Sequence, residues 1–269
     1  MSREPLSVVV TTCNNADTLD ACLGSVQWAD EVVVLDSGST DATPAIAAQH
    51  GARFHTQSFA GYRAQKQAAI GLATHAWVLL LDSDEVLAPG SAAVLQQALH
   101  APAHAGFQLW RREWLFWRWQ SRRSRLNHYV RLFDRRRARM SGHRVHEAVQ
   151  VDGSIGVLDA VLDHFGERDI AGRTAKANAY SSLQRDDLAQ RRVRGLGWRM
   201  VAYPSVAFLR YYLLRGHWRS GWAGFIAARI HAFYAFLKYA KLHEANQRAH
   251  GIRRDAEGRL SIDDQPGGR

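Results

Sequence analysis

The sequence predicts an α/β fold: a mostly parallel, Rossmann-like mixed sheet flanked by helices and followed by a C-terminal helical extension. Short apolar runs alternate with helix patterns through the first half of the chain, an order typical of right-handed βαβ units. The run Trp77–Leu81 is apolar at every position, as expected of a strand covered on both faces. After about Arg168 the patterns become helical, which predicts the extension.

The first strands and helices follow one another in regular alternation. Leu6–Thr11 is a β-branched strand, and Asn15 or Asp17 is placed to cap the helix after it. Glu31–Leu35 is the second strand, and Pro44 lies in the first turn of the next helix. The elements expected after these are a strand, a helix, a strand and a helix, at Arg53–His55, Tyr62–Ala73, Trp77–Leu81 and Pro89–Leu99.

The pattern changes after Gly106. The strands expected there are Phe107–Trp110, Tyr129–Phe133, Val145–Val151 and Gly156–Leu158. The helices expected after them are Asp169–Gln190, Trp198–Leu214 and Trp218–Leu242. We therefore expect a sheet domain over residues 1–167, amphipathic helices over 168–244 and a flexible polar tail over 245–269.

Composition limits the class of protein. With 269 residues, 46% of them hydrophobic, the chain can bury a core and is not a disordered protein. Cys13 and Cys22 match no zinc spacing and indicate no disulfide framework, which favours a reducing compartment. The N-terminus leads straight into an apolar strand, so we expect no signal peptide.

The net charge of +10 is concentrated in two zones. Residues 191–241 hold ten Lys or Arg and no Asp or Glu, and residues 111–144 hold twelve Arg. Such asymmetry predicts an anionic partner, which is a membrane surface, a nucleic acid or a phosphorylated substrate. A bias in genomic base composition is an alternative source of the arginines.

Polar residues follow three of the expected strands where they end: Thr11, Asp36, and the pair Asp82 and Asp84. The carboxyl ends of parallel strands share one edge of a sheet, where ligands bind in such folds. The chain has no G-x-G-x-x-G after its first strand and no P-loop, which argues against those two nucleotide sites. Asp36 is placed to accept hydrogen bonds from a base or ribose, or else to organise a helix-capping loop.

The triplet Asp82-Ser83-Asp84 is the most informative motif. Residues two apart on a strand point to the same side, so the two carboxylates leave the sheet edge together. Like charges this close need a cation or a shared proton. A hard divalent metal that carries a phosphate meets that need. A solvated turn is the competing interpretation.

Six motifs occur in order along the chain: Ser7–Thr11, Trp28–Glu31, Val34–Asp41, Leu81–Glu85, Val145–Glu147 and Phe236–Lys241. The ordered set resembles family 2 glycosyltransferases with the GT-A fold, and it is far more specific than any one motif. Within that family it resembles the bacterial lipopolysaccharide core β-1,4-glucosyltransferase branch. The resemblance extends from about Leu6 to Lys241.

The resemblance implies a nucleotide-sugar donor, usually a UDP-sugar, and Mg²⁺ or Mn²⁺ that bridges its diphosphate to Asp84. His164 is a second candidate ligand of the metal or phosphate, with a structural histidine as the alternative. Lys66 either reaches the nucleotide or lies on a solvated helix face. The residues expected to contact the donor are Thr11, Asp36, Lys66, Asp82, Ser83 and Asp84.

The resemblance also implies single displacement with inversion, which needs a base for the acceptor hydroxyl while the metal stabilises the departing diphosphate. Glu147 occupies the matching position, and an ion pair with Arg144 is the alternative. Trp114, Arg131 and His146 are assigned to the acceptor or phosphate side. The Trp- and Arg-rich residues 111–125 form either an acceptor loop or an aromatic core with a solvated basic face.

Residues 200–240 are apolar and aromatic but interrupted by basic residues, so no run reaches the ~20 residues that span a bilayer. This composition predicts helices that lie on an anionic membrane surface, or else pack on the sheet domain. We therefore expect a peripheral enzyme at the cytoplasmic face of the inner membrane. It moves a sugar, glucose by the resemblance, to a lipopolysaccharide core or related glycolipid.

Two alternatives remain open at this stage. One is a transferase that acts on a polyprenyl phosphate or extends an exopolysaccharide. The other is a nucleic-acid-binding module built on the Trp- and Arg-rich stretch, which would stack bases on its aromatic rings. That module leaves the convergent acids unexplained, so we expect no nucleic-acid partner. The sequence does not indicate an oligomeric state.

Overall fold

The computed structural model describes residues 3–141, 148–166, 169–190, 193, 195–254 and 260–262. The chain forms two compact units. The sheet unit comprises Met1–Trp114 and Leu126–Gly166, and the helical unit comprises Leu115–Arg125 and Glu167–Arg269. The short segment Leu115–Arg125, taken from the middle of the predicted sheet domain, belongs to the helical unit.

The strands and helices follow the predicted alternation. The strands up to residue 164 are β1 (Leu6–Thr12), β2 (Glu31–Asp36), β3 (Arg53–Thr56), β4 (Trp77–Asp82), β5 (Glu85–Leu87), β6 (Gly106–Leu115), β7 (Arg118–Trp119), β8 (Asn127–Asp134), β9 (Ala138–Met140), β10 (Val149–Val151) and β11 (Ile155–His164). The helices between them are α1 (Ala16–Gly24), α2 (Thr43–Gln49), α3 (Tyr62–Leu72) and α4 (Ser91–His100).

The main sheet has the strand order β3-β2-β1-β4-β8-β6-β11-β5. Strands β1 to β4 are parallel, whereas β8 pairs antiparallel with both β4 and β6. Strand β11 is parallel to β6 and antiparallel to β5. The predicted mixed α/β sheet is therefore confirmed. The chain runs outward from β1 in one direction through β2 and β3 and then continues on the other side with β4, which makes β1/β4 a topological switch point.

Alternate residues of the central strands enter two separate apolar cores. Val8 and Val10 of β1 share one core with Leu79, together with side chains from α1 and α4. Val9 and Leu80 point the other way, into a core that α3 completes. Because successive side chains on a strand face opposite sides, an unbroken apolar run is required when helices cover both faces. The prediction of a doubly covered β4 is confirmed.

The helical unit is built on three long helices. After β7 it contains α5 (Ile170–Gln190), α6 (Leu196–Leu209), α7 (Gly221–Gly251) and a short hairpin of β12 (Ile252–Arg254) and β13 (Leu260–Ile262). Helix α7 packs against both α5 and α6. Its buried positions are mostly alanine, as at Ala223, Ala227 and Ala228, which lets neighbouring helices approach closely.

Two helix ends differ from the sequence prediction. The expected helix Trp198–Leu214 is α-helical only to Leu209, and a π-helical turn continues it over Arg210–Leu214. Helix α7 continues to Gly251, into the residues predicted as a flexible tail, and Glu244 pairs with Arg248 one turn later in this stretch. No helix in the described part of the chain is long and apolar enough to cross a membrane.

Candidate active site

The three polar strand ends predicted to converge lie side by side. In the register of the parallel strands, Thr11 is the partner of Asp82 and Thr12 is the partner of Asp36. These residues are at the carboxyl ends of β1, β2 and β4, next to the switch point between β1 and β4. This is the position at which open α/β sheets bind ligands.

Asp36 is buried and organises the loop that follows β2. Its carboxylate accepts hydrogen bonds from the backbone N–H groups of Gly38 and Ser39, at 2.8 and 2.7 Å, and from the Ser39 hydroxyl at 2.5 Å. Gly38 has a φ of 100°, which favours glycine at this position. The geometry is that of the loop-organising alternative; a contact of Asp36 with the donor stays a prediction.

The two threonines at the end of β1 hold the neighbouring loops through their backbones. The carbonyl of Thr11 accepts from the N–H of Ser83 at 3.3 Å, and that of Thr12 accepts from the N–H of Ser37 at 2.9 Å. Ser83 is buried, and Thr11 is half-buried. The Thr12 hydroxyl is buried and finds no hydrogen-bond partner among the described residues. The loops after β2 and β4 are therefore both fastened to β1.

Asp82 lies between two cations. Its carboxylate is 2.8 Å from Nζ of Lys66, on α3, and 3.1 Å from the guanidinium of Arg131, on β8. Burial opposes ionisation of Asp82, but the charges and hydrogen bonds of Arg131 and Lys66 outweigh it and hold its pKa below the usual range. Asp82 is therefore an ionised, oriented acceptor. Lys66 lies beside the triplet on the buried face of α3 rather than on a solvated face.

Glu85 is a fully buried carboxylate that the sequence analysis did not single out. It lies 2.5 Å from the guanidinium of Arg131 and 3.5 Å from that of Arg111. Its other oxygen accepts the backbone N–H of Asp82 at 3.2 Å. The only sequence signal was its place directly after the triplet. Arg131, assigned from the sequence to the acceptor or phosphate side, is buried here as the bridge between Asp82 and Glu85.

Asp84 points to a different partner from Asp82. Its carboxylate is 3.2 Å from Nε2 of His164, and Nδ1 of the same ring is 2.6 Å from Glu113. Burial alone would lower the pKa of His164, but the hydrogen bonds and charges of Asp84 and Glu113 raise it to about 10. For Asp84, burial alone would raise the pKa, but the hydrogen bond and charge of His164 outweigh burial and lower it. His164 is thus an imidazolium between two carboxylates.

These contacts join into one set of charged side chains, which we call the charge network. It contains four acidic residues, Asp82, Asp84, Glu85 and Glu113, and four basic residues, Lys66, Arg111, Arg131 and His164. Its formal charge is close to zero while His164 is protonated. Replacement of the His164 proton by a divalent cation would leave the network with a net positive charge, which suits a diphosphate.

Asp84 and His164 form a pair that fits a divalent cation. The Asp84 side chain is 31% exposed, and Nε2 of His164 faces it, so one oxygen and one nitrogen ligand meet at an accessible point. A two-ligand site leaves coordination positions for diphosphate oxygens and water. No group of three or more His, Cys, Asp or Glu that could hold a metal ion occurs among the described residues. Glu113 contacts Nδ1 of His164, the ring nitrogen that does not face Asp84.

The remaining predicted residues fall in several places. Trp114 is half-buried, with its ring centroid 6.3 Å from that of Phe165. Glu147 and His146, and the alternative partner Arg144, lie outside the described residues. Of the residues expected to contact the donor, the structure places Thr11, Asp36 and Asp82 on adjacent strand ends, with Lys66 beside Asp82.

Comparison with known proteins identifies the family. A sequence model described as Glycosyl transferase family 2 matches residues 7–163, more than half of the chain. The chain belongs to this family. The matched region spans the sheet from β1 to the penultimate residue of β11, including the Asp82-Ser83-Asp84 triplet. The predicted class of enzyme, a glycosyltransferase, is confirmed.

The relatives of this family 2 glycosyltransferase match it over most of their length. It is 31% identical, over 89% of its own length and 92% of the relative's, to a lipopolysaccharide core biosynthesis glycosyltransferase, LpsC, of Rhizobium meliloti (strain 1021). It is 29% identical, over 90% of each chain, to an uncharacterized glycosyltransferase of Rickettsia felis. The similarity to LpsC confirms the predicted resemblance to the lipopolysaccharide branch of the family.

Solved structures show a weaker likeness. Glucosyl-3-phosphoglycerate synthase from Mycobacterium tuberculosis, in complex with Mn²⁺ and UDP-glucose, is 23% identical with a TM-score of 0.35. The match covers 41% of this chain and 44% of that one. A likeness of this size supports no inference about the site.

Proposed function

We propose that this family 2 glycosyltransferase transfers a sugar, glucose by its resemblance, from a UDP-sugar to a lipopolysaccharide core or related glycolipid acceptor. The observation that carries the proposal is the pairing of Thr11 with Asp82 and of Thr12 with Asp36 at the switch point, which puts the Asp82-Ser83-Asp84 triplet at the carboxyl edge of the parallel strands beside Asp36. The printed name of the Rhizobium meliloti relative supports a lipopolysaccharide acceptor.

Asp84 and His164 are proposed to hold Mg²⁺ or Mn²⁺ in this reaction. When bound, the cation would neutralise the charge that develops on the departing diphosphate. Asp82 is held by Lys66 and Arg131 in one orientation, ready to accept a hydrogen bond from the donor ribose. The buried Glu85 pairs with Arg131 and accepts the backbone N–H of Asp82, which fixes the positions of both residues.

Inversion requires a base for the acceptor hydroxyl, and Glu147 is proposed for that task. The support is its place in the Val145-His146-Glu147 motif, together with the partners already found for the other site carboxylates. Asp82, Asp84, Glu85 and Glu113 are each paired with cations. The charges and hydrogen bonds of these partners lower the pKa of Asp82 and of Asp84, so neither is a good base. A carboxylate outside the charge network is better suited to accept a proton.

The enzyme is proposed to work as a peripheral protein at the cytoplasmic face of the inner membrane, where a glycolipid acceptor is anchored. The support is the basic composition of residues 191–241, which would be attracted to anionic lipid.

Sugar transfer by Asp84→Ala and Glu147→Gln variants tests the mechanism. We expect Asp84→Ala to lose transfer by about 10³-fold, because a metal contact worth several kcal/mol in the transition state is removed. Glu147→Gln should slow transfer by about 10²-fold or more while leaving the Kd for UDP unchanged. Initial rates with UDP-glucose and calorimetric UDP titration measure both, and full activity of Asp84→Ala would contradict the proposal.

The identity of the acceptor is tested separately, with two candidate acceptors in the same transfer assay. Core-truncated lipopolysaccharide should accept the sugar, and a polyprenyl phosphate should not. Transfer to the polyprenyl phosphate alone would overturn the acceptor assignment and leave the donor site intact.

A further inference from the structure

Helix α6 carries an unusual share of exposed apolar side chains. None of its residues is buried. Trp198 is 74% exposed, and Leu214 and Trp222, in the segments after α6, are 78% and 75% exposed. Nine of the large hydrophobic residues exposed in the described chain lie between positions 198 and 222: Trp198, Val201, Tyr203, Val206, Leu209, Leu213, Leu214, Trp218 and Trp222.

The exposed residues of α6 lie mainly on one side of the helix. At about 100° per residue, Trp198, Val206 and Leu209 fall within about 80° of arc. The other side packs on α7 through aromatic rings: Phe208 meets Phe225 with centroids 5.7 Å apart, and Tyr203 meets Tyr239 at 5.1 Å. Helix α6 therefore has one packed face and one apolar face without contacts to cover it in the described helical unit.

Arginines border the exposed apolar residues. Arg219 lies over the ring of Trp218 at 4.5 Å. Arg210 is exposed at the end of α6. The sequence contains no Asp or Glu between residues 191 and 243, so no carboxylate of this segment offsets the positive charge. An apolar face bordered by cations and aromatic rings is complementary to an anionic lipid surface.

We propose that the exposed apolar residues of α6 and of the segments directly after it dock on the headgroup region of a bilayer that contains anionic lipids. We call this set the α6 surface: Trp198, Val201, Val206, Leu209, Leu213, Leu214, Trp218 and Trp222. Fourteen residues of α-helix measure about 21 Å, short of the roughly 30 Å hydrocarbon core, so α6 lies along the surface. The choice of a bilayer as the partner rests on the proposed function, in which the acceptor is a glycolipid. A second copy of the chain is disfavoured because two arginine-bordered faces repel each other.

Vesicle binding of the full chain tests the α6 surface. Wild type should co-sediment with phosphatidylcholine vesicles containing phosphatidylglycerol and bind pure phosphatidylcholine vesicles on the order of tenfold more weakly. Trp198→Ser/Leu209→Ser should reduce binding to the anionic vesicles on the order of tenfold or more. Arg210→Gln/Arg219→Gln should remove most of the preference for anionic lipid.

The matched control is Ile155→Ser/Val157→Ser, which changes two apolar residues of β11, 41% and 53% exposed, in the sheet unit. It should bind vesicles as wild type does. Circular dichroism and the melting temperature verify that each variant is folded, which is expected for Trp198→Ser/Leu209→Ser because α6 has no buried residue.

Two results would overturn the proposal. The first is that Trp198→Ser/Leu209→Ser binds vesicles as strongly as wild type does. The second is that neither protein binds vesicles, while light scattering shows wild type as a dimer and the variant as a monomer. A second copy of the chain would then cover the α6 surface. Transfer to a deacylated, water-soluble core oligosaccharide separates this test from that of the function. Trp198→Ser/Leu209→Ser should retain such transfer, whereas Asp84→Ala should lose it and still bind vesicles.

Discussion

At the scale of single residues, three acids within four positions have three different sets of partners. Asp82 is held by Lys66 and Arg131, Asp84 faces His164, and Glu85 is buried against Arg131. The Asp84 side chain is 31% exposed and its partner is an imidazolium, which is why this pair is the proposed cation site. The proposed division of labour, with Asp84 at the metal and Asp82 at the ribose, follows from these partners.

Glu85→Gln tests the buried member of the set. Removal of one charge from a buried ion pair leaves the other uncompensated, so we expect a loss of about 3 kcal/mol in the free energy of unfolding. Arg131 still pairs with Asp82 in this variant, which limits the loss of stability. Urea denaturation at pH 7 measures the change. The control is Asp20→Asn, whose side chain is 74% exposed beside His50, and it should cost under about 1 kcal/mol.

At the scale of strands and helices, the opposite edge of the sheet is fastened by one acid. Glu31, the first residue of β2, accepts hydrogen bonds from the Ser7 hydroxyl of β1 and from the N–H and hydroxyl of Thr74, at 2.8 and 2.9 Å. It also pairs with Arg53 of β3. Burial would raise the pKa of Glu31, but these hydrogen bonds outweigh it and lower the pKa to about 2. One carboxylate thus joins the amino-terminal ends of adjacent strands.

Glu31 should make the stability of the sheet unit depend on acid. Because its folded pKa lies below its unfolded value, its contribution is present above about pH 4.5 and is lost as the pH falls towards 2. The upper bound of the contribution is about 3 kcal/mol. Denaturation of wild type and Glu31→Gln at pH 7, 5 and 3 measures it.

We expect the difference between wild type and Glu31→Gln to shrink towards pH 3. The control Glu244→Gln removes an exposed ion pair with Arg248 and should show no such trend. A pH-independent difference for Glu31→Gln would mean that the hydrogen bonds, and not the charge, stabilise the strands.

At the scale of the whole molecule, the charge network offsets four clustered carboxylates with protein cations. Lys66, Arg111, Arg131 and protonated His164 offset them, so we expect the fold to be independent of divalent cations. In the proposed mechanism, the diphosphate of the donor would add the negative charge that makes cation binding favourable. Metal and nucleotide should therefore bind with positive coupling.

Thermal melting of the full chain tests that coupling. EDTA should leave the melting temperature unchanged, Mn²⁺ or UDP alone should raise it slightly, and both together should raise it by more than the sum, because ligands stabilise by mass action. Asp84→Asn should abolish the excess, and Glu244→Gln should keep it. A melting temperature that EDTA lowers would contradict a metal-independent fold.

Much of the site was predictable because its residues lie at the ends of local patterns. The buried run Trp77–Leu81 and the acids directly after it can be found within one segment of sequence. Glu85 and Glu113 were not found, because their partners Arg131 on β8 and His164 on β11 are 46 and 51 residues away in the sequence. Arg111 was not found either, because its partner Glu85 is on another strand, β5. A local pattern carries no information on such a register.

The sequence by itself determined the alternation of strands and helices, the strand-end acids and the family, since each depends on periodicity or on an ordered set of motifs. Only the tertiary structure decided which cation neutralises which acid and that one face of α6 is exposed. The physical reason is the same in each case. Burial and charge pairing depend on which distant segments pack together, and that arrangement exists only in the folded chain.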